Sequence, residues 1–264
     1  MKTIAICNLK GGVAKTTTTV NLAANLARDH GKRVLVIDAD SQANTTAFYA
    51  NAVLKQHETL SDLLRMPKSE RAAFSVGFNL EPTISASSFE NVDLLPADST
   101  LMDLDLSKVE SDEVFTEVLA LGLPDLQSRY DYVLIDCPPA FNAASAAALL
   151  ASDEVLIPVK LDAFALEGMA NLMQQIVNMR KINPKLRVLG LLPVMWYRSG
   201  QIAQAEMSLR ESGLPILPRI RRSNRVDDMT FAQEPLIVCS PKSGACQDYR
   251  RLADHLEGGA RNVG

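Results

Sequence analysis

The stretch Asn8-Leu9-Lys10-Gly11-Gly12-Val13-Ala14-Lys15-Thr16-Thr17 decides the fold of this chain. An apolar run at Thr3–Cys7 precedes it, and Thr17–Arg28 follows with apolar residues at the spacing of one helical face. The pattern predicts a strand, a tight glycine-containing loop and a helix in direct succession. Such a loop directs successive backbone N–H groups and a helix N-terminus towards one point, which suits a phosphate group.

The side chains of this loop are those of a nucleotide phosphate site. Gly11 and Gly12 permit a close backbone approach that a Cβ would obstruct. Lys15 is expected to neutralise the β- and γ-phosphates, and the Thr16 hydroxyl to bind Mg²⁺. The loop therefore predicts a phosphate and Mg²⁺ site, and the family resemblance described below implies that the cofactors are ATP and Mg²⁺, bound by Lys10, Gly11, Gly12, Val13, Ala14, Lys15, Thr16 and Thr17.

The rest of the chain alternates between strand-like and helix-like segments. Short runs rich in Val, Ile and Leu are nearly continuous rather than alternating, which is typical of a parallel sheet covered on both faces. The predicted strands after the first are 33–37, 92–95, 132–135, 154–159 and 186–192, and further helices are predicted at 166–182 and 248–256. We predict an α/β fold with a doubly wound, mostly parallel central sheet flanked by helices.

The loop departs from the general pattern GxxxxGK[ST], because Leu9 and Ala14 stand where that pattern has glycine. With its additional Lys10, the segment KGGxxK[ST] matches the signature-lysine variant, and the chain resembles the ParA/MinD family of ATPases. The resemblance implies a P-loop NTPase fold of the deviant Walker A type, in a single ATPase domain over 1–264. An irregular helical segment is expected around 45–91, with a flexible tail at 257–264.

Two further segments carry the resemblance. Asp38-Ala39-Asp40-Ser41-Gln42-Ala43-Asn44 matches the family's DxDxQxN block, and Asp131–Pro139 matches its DxPP block. Both put carboxylates at the carboxyl ends of predicted parallel strands. Asp136 is expected to hold Mg²⁺ through water, because Mg²⁺ dehydrates reluctantly. Asp40 is expected to position the attacking water and to contribute to the metal site.

The resemblance also implies how hydrolysis is controlled. Phosphoryl transfer needs charge stabilisation more than covalent chemistry. In the family, the signature lysine reaches across a nucleotide-sandwich homodimer to the ATP of the partner, and Lys10 would play that role here. The expected activity is ATP hydrolysis that is weak unless stimulated, with Lys10, Lys15 and Asp40 as the catalytic residues.

The C-terminal half is similar to short, Soj-like ParA partition proteins. Ala165-Leu166-Glu167-Gly168 matches the family's ALEG segment, and Ser240–Ala245 with Tyr249–Ala253 resembles the final loop and helix. The resemblance implies non-specific binding of double-stranded DNA by the ATP dimer, a ParB-like centromere-binding partner that stimulates hydrolysis, and a cytoplasmic, nucleoid-associated protein. It also carries two DNA-binding arginines over to Arg198 and Arg225.

A basic cluster supports a DNA contact independently of the family. It places four cations in seven residues, with no acid between Gly213 and Asp227: Arg219, Arg221, Arg222 and Arg225. Such a patch suits the phosphate backbone of DNA, although a solvated basic loop is the alternative. The predicted DNA-binding residues are Arg198, Arg222 and Arg225.

Composition excludes several other classes. The formal net charge is −4, so a globally basic DNA coat is excluded. The four cysteines form no CxxC pair, which disfavours a disulfide scaffold or a zinc site. Cys137 has no second cysteine at a spacing typical of iron–sulfur members and is interpreted as a small strand-end residue. No signal peptide or membrane span is expected.

Two alternative functions share the nucleotide motifs. A MinD-like or other protein-positioning ATPase would need, for membrane binding, an apolar C-terminal amphipathic helix, which the glycine-rich segment from Leu256 to Gly264 does not predict. Metabolic relatives such as dethiobiotin synthetases and cobyrinate amidases activate a carboxylate. They would not be expected to combine Lys10, DxDxQ and ALEG.

Overall fold

The apolar runs of the sequence form one seven-stranded sheet in a computed structural model, which describes residues 1–50, 59–67, 80–107, 115–162 and 165–258. The strands are β1 (Lys2–Ile6), β2 (Val34–Asp38), β3 (Ser85–Ala86), β4 (Val92–Leu95), β5 (Tyr132–Asp136), β6 (Glu154–Lys160) and β7 (Arg187–Val194). Their order is β3-β4-β2-β5-β1-β6-β7, and only the β3–β4 pair is antiparallel. The predicted doubly wound, mostly parallel sheet is confirmed.

The sheet is buried on both faces, which explains the continuous apolar runs. Every residue of β2 and of β5 is buried. Ala5 and Cys7 pack into one core layer, whereas Ile4 and Ile6 pack into the other. Successive side chains of a strand point to opposite faces, so a strand covered on both faces has no polar position to alternate with.

Helices cover both faces of the sheet. Their bounds are α1 (Lys15–His30), α2 (Asn44–Tyr49), α3 (Leu60–Leu64), α4 (Val118–Gly122), α5 (Ala143–Ala151), α6 (Ala165–Met179), α7 (Gly200–Glu211), α8 (Arg225–Ala232), α9 (Leu236–Cys239) and α10 (Gly244–Leu256). Short 3₁₀ turns occupy Glu81–Thr83, Ser99–Asp103 and Leu123–Leu126. None of the helices in the described ranges is long and apolar enough to cross a membrane.

Two of the predicted segments are only partly described. In the segment predicted as irregular and helical around 45–91, the structure has α2, α3 and a 3₁₀ turn, while 51–58 and 68–79 lie outside the described residues. In the predicted tail, Glu257 and Gly258 are described, and 259–264 are not. The single-domain assignment and the flexible tail therefore stay predictions.

The sheet order determines where the loop and the carboxylates meet. β5 lies between β1 and β2, and Asp136 is in register with Ile6 on one side and with Asp38 on the other. The loop that follows β1 therefore begins beside two aspartates that end neighbouring strands. All three features lie at the carboxyl edge of the sheet, where open α/β folds bind ligands.

Candidate functional site

The loop between β1 and α1 presents a helix N-terminus without a side-chain cap. Gly12 has φ +68°, and Ala14, the N-cap residue of α1, also adopts the left-handed conformation with φ 61°. No side chain caps the helix at Ala14, and the first turn of α1 contains no acidic residue. The first N–H groups of α1 and its positive dipole end are therefore available to an anion.

Ala14 adopts a left-handed backbone conformation that glycine would adopt without strain. A Cβ in the left-handed region approaches the following carbonyl oxygen, at a cost of about 1 kcal/mol. The chain nevertheless keeps the loop geometry with alanine. The departure of Ala14 from the family pattern therefore adds backbone strain without changing the predicted strand–loop–helix arrangement.

Two lysines of the loop occupy different environments. Lys15 is only 7% exposed, and its Nζ donates a hydrogen bond to the Lys10 carbonyl oxygen at 3.2 Å. Lys10 Nζ forms an ion pair with Asp162, which follows β6. Lys15 is thus held inside the loop, whereas the side chain of Lys10 extends to the neighbouring segment.

Asn8 fixes the start of the loop and was not singled out from the sequence. Its side-chain nitrogen donates to the Pro158 carbonyl oxygen at 2.7 Å, and its Oδ1 accepts the Lys10 N–H at 2.9 Å. Asn8 is buried. A polar residue that directly follows an apolar strand is the only local signal for this role, and turns share that signal.

Asp136 lies directly beneath the loop and is coupled to it through Thr16. The Thr16 hydroxyl donates to Asp136 Oδ2 at 2.7 Å, and the Thr45 hydroxyl donates to the same oxygen at 2.6 Å. Asp136 Oδ1 is buried and has no hydrogen-bond partner among the described residues. Burial raises the pKa of Asp136, although the two hydroxyls and the charge of Lys15 oppose the shift.

Asp38 is a second buried carboxylate beside Asp136, and sequence reasoning gave it no role of its own. Its Oδ2 accepts the backbone N–H of Thr46 at 2.7 Å and the Thr46 hydroxyl at 2.8 Å, and its Oδ1 accepts the Asp40 N–H at 3.1 Å. Burial, followed by the neighbouring charge of Asp136, raises the pKa of Asp38. Asp38 therefore shapes the turn that presents Asp40.

Asp40 is half-buried and shares one cleft with the loop. Its Oδ1 accepts the Gln42 N–H at 3.0 Å, which fixes the side chain over its own turn. The cleft is lined by Gly11, Gly12, Val13, Ala14, Lys15, Thr16, Thr17, Asp40, Asn44, Pro139 and Met195. The structure thus brings seven of the eight predicted nucleotide-binding residues together with Asp40.

A second cleft adjoins the first and shares Ala14, Thr17 and Met195 with it. Its cavity of about 320 Å³ falls at the lower end of the range of small-molecule sites, about 300–1,000 Å³. Lys160, Tyr197, Arg222, Asn224, Val226, Asp227 and Tyr249 are among the residues that line it. This cleft could not be assigned from the sequence because its residues come from several segments of the C-terminal half.

Comparison with known proteins establishes the family. A family model described as an AAA domain matches residues 1–188. The chromosome partitioning protein ParA of Caulobacter vibrioides is 32% identical over 263 residues, which cover 96% of this chain and 92% of that protein. This chain belongs to the ParA family of P-loop ATPases.

The Soj-like resemblance is likewise confirmed. The sporulation initiation inhibitor protein Soj of Bacillus subtilis is 32% identical to this ParA-family chain over 262 residues, 97% of this chain and 98% of Soj. The fold extends to metabolic enzymes: the crystal structure of cobyrinic acid a,c-diamide synthase from Mycobacterium smegmatis with a bound ATP analogue and magnesium has a TM-score of 0.77 at 25% identity. The structural match covers 99% of this chain and 98% of the synthase chain.

The basic cluster of this ParA-family chain is largely paired with acids. The Arg219 guanidinium stacks on Trp196, with 3.6 Å between Cζ and the ring centroid, and also lies 3.7 Å from a carboxylate oxygen of Glu206. Arg221 forms a two-point pair with Asp248, and Arg225 Nη1 lies 2.7 Å from Asp228 Oδ2. None of these acids lies between the arginines in the sequence. The sequence pattern therefore overestimated the unpaired positive charge of the basic cluster.

Arg198 and Arg222 differ from the other arginines of this surface. Both are exposed, and within the described ranges neither has an acidic partner at ion-pair distance. Their segments run side by side, because Trp196 forms a parallel bridge with Arg221. Arg222 also lines the second cleft, so this side chain borders both surfaces.

Cys137 is a buried residue directly after β5, and the structure adds a neighbouring cysteine that spacing along the chain did not reveal. Cys7 and Cys137 follow Ile6 and Asp136, which are paired in register on β1 and β5. Both thiols are buried, and a hydrogen bond with Cys7, together with burial, raises the pKa of Cys137. Spacing along the chain could not reveal this pair because it depends on the order of strands in the sheet.

Proposed function

We propose that this chain is a partition ATPase whose ATP-bound dimer binds double-stranded DNA non-specifically and releases it after hydrolysis. A ParB-like, centromere-binding protein is the expected stimulator of hydrolysis. The observation that carries its nucleotide-binding step is the pairing of Thr16 with the buried Asp136 beneath an uncapped helix N-terminus, and likeness to a chromosome partitioning protein carries its DNA-binding step. The pairing of Thr16 with Asp136 supports binding of a nucleotide together with a metal ion.

The residues present fit Mg²⁺. A hydroxyl has one O–H donor and two lone pairs, so Thr16 can donate to Asp136 and still offer its oxygen to a cation. Asp136 Oδ1 is a buried acceptor without a hydrogen-bond partner among the described residues. A metal-bound water would satisfy it, which is consistent with a cation that keeps several of its waters. When bound, Mg²⁺ would neutralise charge on the phosphate oxygens.

The phosphates and the nucleoside would occupy the two adjoining clefts. The N–H groups at the start of α1 and the Lys15 ammonium would hold the β- and γ-phosphates. The second cleft would take the nucleoside, because it shares Ala14 and Thr17 with the phosphate cleft. Asp40 would orient the attacking water, since it is the carboxylate that lines the phosphate cleft.

Lys10 would complete the site of a second copy of the chain. Its ion pair with Asp162 is about one-third exposed on both sides, and such pairs contribute little to stability. Exchange of Asp162 for a phosphate of the partner's nucleotide would therefore cost little. Hydrolysis should then depend on protein concentration, because a single chain lacks the lysine in trans.

DNA binding is the step that separates partition from the metabolic activities of the same fold. It is supported by the likeness to a chromosome partitioning protein over most of both chains and by the exposed arginines Arg198 and Arg222. Arg225 would contribute to DNA binding once its guanidinium exchanges the exposed Asp228 carboxylate for a DNA phosphate. Contacts to phosphates alone would make binding independent of sequence and sensitive to salt.

The decisive experiment is fluorescence anisotropy with a random-sequence duplex, in the presence of ATP, ADP or no nucleotide, at two salt concentrations. We expect binding with ATP only, and weaker binding at the higher salt concentration. Failure to bind DNA in every nucleotide state would contradict the partition function. ATP binding without DNA binding would favour a protein-positioning or carboxylate-activating relative, which liposomes and small carboxylates would then distinguish.

A further inference from the structure

Two threonine hydroxyls converge on one oxygen of Asp136, and only one of them belongs to the phosphate loop. Thr16 donates to Oδ2 from the first turn of α1. Thr45 donates to the same oxygen from the first turn of α2, at 2.6 Å, and is fully buried. The carboxylate is thereby held through Oδ2, while Oδ1 has no partner among the described residues.

Thr45 belongs to the segment that carries Asp40. This segment leaves β2 at Asp38, turns at Ala43 with φ 51°, and enters α2. The next residue, Thr46, donates two hydrogen bonds to Asp38. Consecutive threonines therefore attach the start of α2 to the two buried carboxylates that end β2 and β5.

We infer that Thr45 is a positioning residue for the metal carboxylate: it orients Asp136 so that Oδ1 faces the Mg²⁺ shell, and it ties the Asp40 segment to that carboxylate. The inference rests on the proposed binding of ATP with Mg²⁺. Thr16 would have to serve the metal and Asp136 at once, whereas Thr45 serves Asp136 alone. Without the Thr45 hydroxyl, a buried carboxylate would keep a single hydrogen bond, and its plane would no longer be fixed.

The effect should appear in the metal dependence of nucleotide binding rather than in nucleotide binding as such. Loss of an outer-shell hydrogen bond to a metal-binding group typically weakens metal affinity by about 10–100-fold. Thr45 does not line the phosphate cleft, so affinity for nucleotide without metal should change little. The diagnostic quantity is the ratio of the Kd in EDTA to the Kd in saturating Mg²⁺.

The experiment measures this ratio by titrating a fluorescent, non-hydrolysable ATP analogue into the wild type, Thr45→Val and Thr45→Ser. Valine has the same shape without the hydroxyl, and serine keeps the hydroxyl. We expect Thr45→Val to reduce the ratio by about tenfold, and Thr45→Ser to restore it to within about threefold of the wild type. Ser152→Ala is the matched control, because Ser152 is also buried and its hydroxyl donates to the Ala148 carbonyl oxygen, outside both clefts.

The possible outcomes are distinct. If the wild type binds the analogue with Mg²⁺ dependence and Thr45→Val leaves the ratio unchanged, the inference is wrong and the proposed function stands. Weaker analogue binding by the same factor in EDTA and in Mg²⁺ also leaves the ratio unchanged and would overturn the inference, because that pattern indicates a general structural role. A wild type that binds no ATP analogue under either condition would contradict the proposed function itself.

Discussion

Lys10 and Asp162 form a two-point ion pair, with the Lys10 ammonium 2.8 Å from Oδ1 and 2.6 Å from Oδ2 of the carboxylate. The pair joins the phosphate loop to the segment after β6. It gives Lys10, the lysine proposed to act in trans, a partner within its own chain. Asp162 and a nucleotide phosphate on a second copy would therefore compete for the same cation.

Asp162→Asn should strengthen ATP-dependent dimerisation. Exposed ion pairs are worth about 0.2–1 kcal/mol, and a symmetric dimer breaks two of them, so removal of the competing charge should lower the dimer dissociation constant by about 2- to 30-fold. Sedimentation velocity with a non-hydrolysable ATP analogue measures it. Glu154→Gln is the matched control, because Glu154 forms a similarly exposed 2.7 Å pair with Lys2 that does not involve the phosphate loop. Weaker dimerisation of Asp162→Asn would contradict the competition.

Lys10→Ala should abolish ATP-dependent dimerisation and stimulated hydrolysis while leaving the fold intact. The physical reason is that Lys10 would supply the charge that completes the site of the partner. Phosphate release measured over a range of protein concentrations tests this, with the far-ultraviolet circular dichroism spectrum as a check of folding. Lys2→Ala removes a lysine of similar exposure from the other end of β1 and should behave as the wild type. Full retention of both activities in Lys10→Ala would exclude the role in trans.

Ala14→Gly should stabilise the nucleotide-free protein. Relief of the left-handed strain is worth about 1 kcal/mol, partly offset by the larger entropy that glycine has in the unfolded chain. The net gain in the free energy of unfolding should be a few tenths to about 1 kcal/mol, measured by urea denaturation. Ala203→Gly, at an exposed position within α7, should have the opposite sign and cost about 1 kcal/mol. A destabilised Ala14→Gly protein would show that φ at residue 14 is not strained.

The raised pKa of Asp38 should make the nucleotide-free protein less stable as pH rises. The folded state binds the proton more tightly than the unfolded state, in which an aspartate has a pKa of about 3.9. Its contribution to stability is therefore fully present below about pH 4 and is lost as pH rises through the raised pKa. Asp38→Asn should flatten this part of the profile. Urea midpoints of the wild type and Asp38→Asn between pH 4.5 and 8 measure how stability depends on pH. Parallel profiles would contradict a raised pKa at Asp38.

Arg198→Glu should weaken DNA binding on all sequences and reduce the salt slope by about one unit. Asp228→Asn should have the opposite effect, because it frees Arg225 from its ion pair. Anisotropy titrations over a series of salt concentrations measure both slopes. Arg187→Glu, at the start of β7 and remote in register from the carboxyl edge, provides the same change in net charge and should keep the wild-type slope. If the Arg198→Glu and wild-type titration curves coincide, Arg198 does not contact DNA.

The local features of this protein could be predicted from its sequence, and the long-range pairs could not. All six predicted strands exist because each is a continuous apolar run, and the loop follows from Lys10 to Thr17 read in order. Thr45 escaped prediction because its partner, Asp136, becomes a neighbour only when β5 inserts between β1 and β2. The free charge of the basic cluster was overestimated for the same reason, since Glu206 and Asp248 approach it from other helices.

The central position of β1 has a consequence for the newborn chain. Among the strands that the structure describes, β1 pairs with β5 and β6, and β5 begins at Tyr132. The chain between Ile6 and Tyr132 must therefore leave the ribosome before β1 can pair with β5, and during that time the apolar residues of β1 stay accessible to chaperones and to other nascent chains. Nucleotide cannot shorten this interval, because the loop that would bind it acquires its buried aspartate only with the last residue of β5.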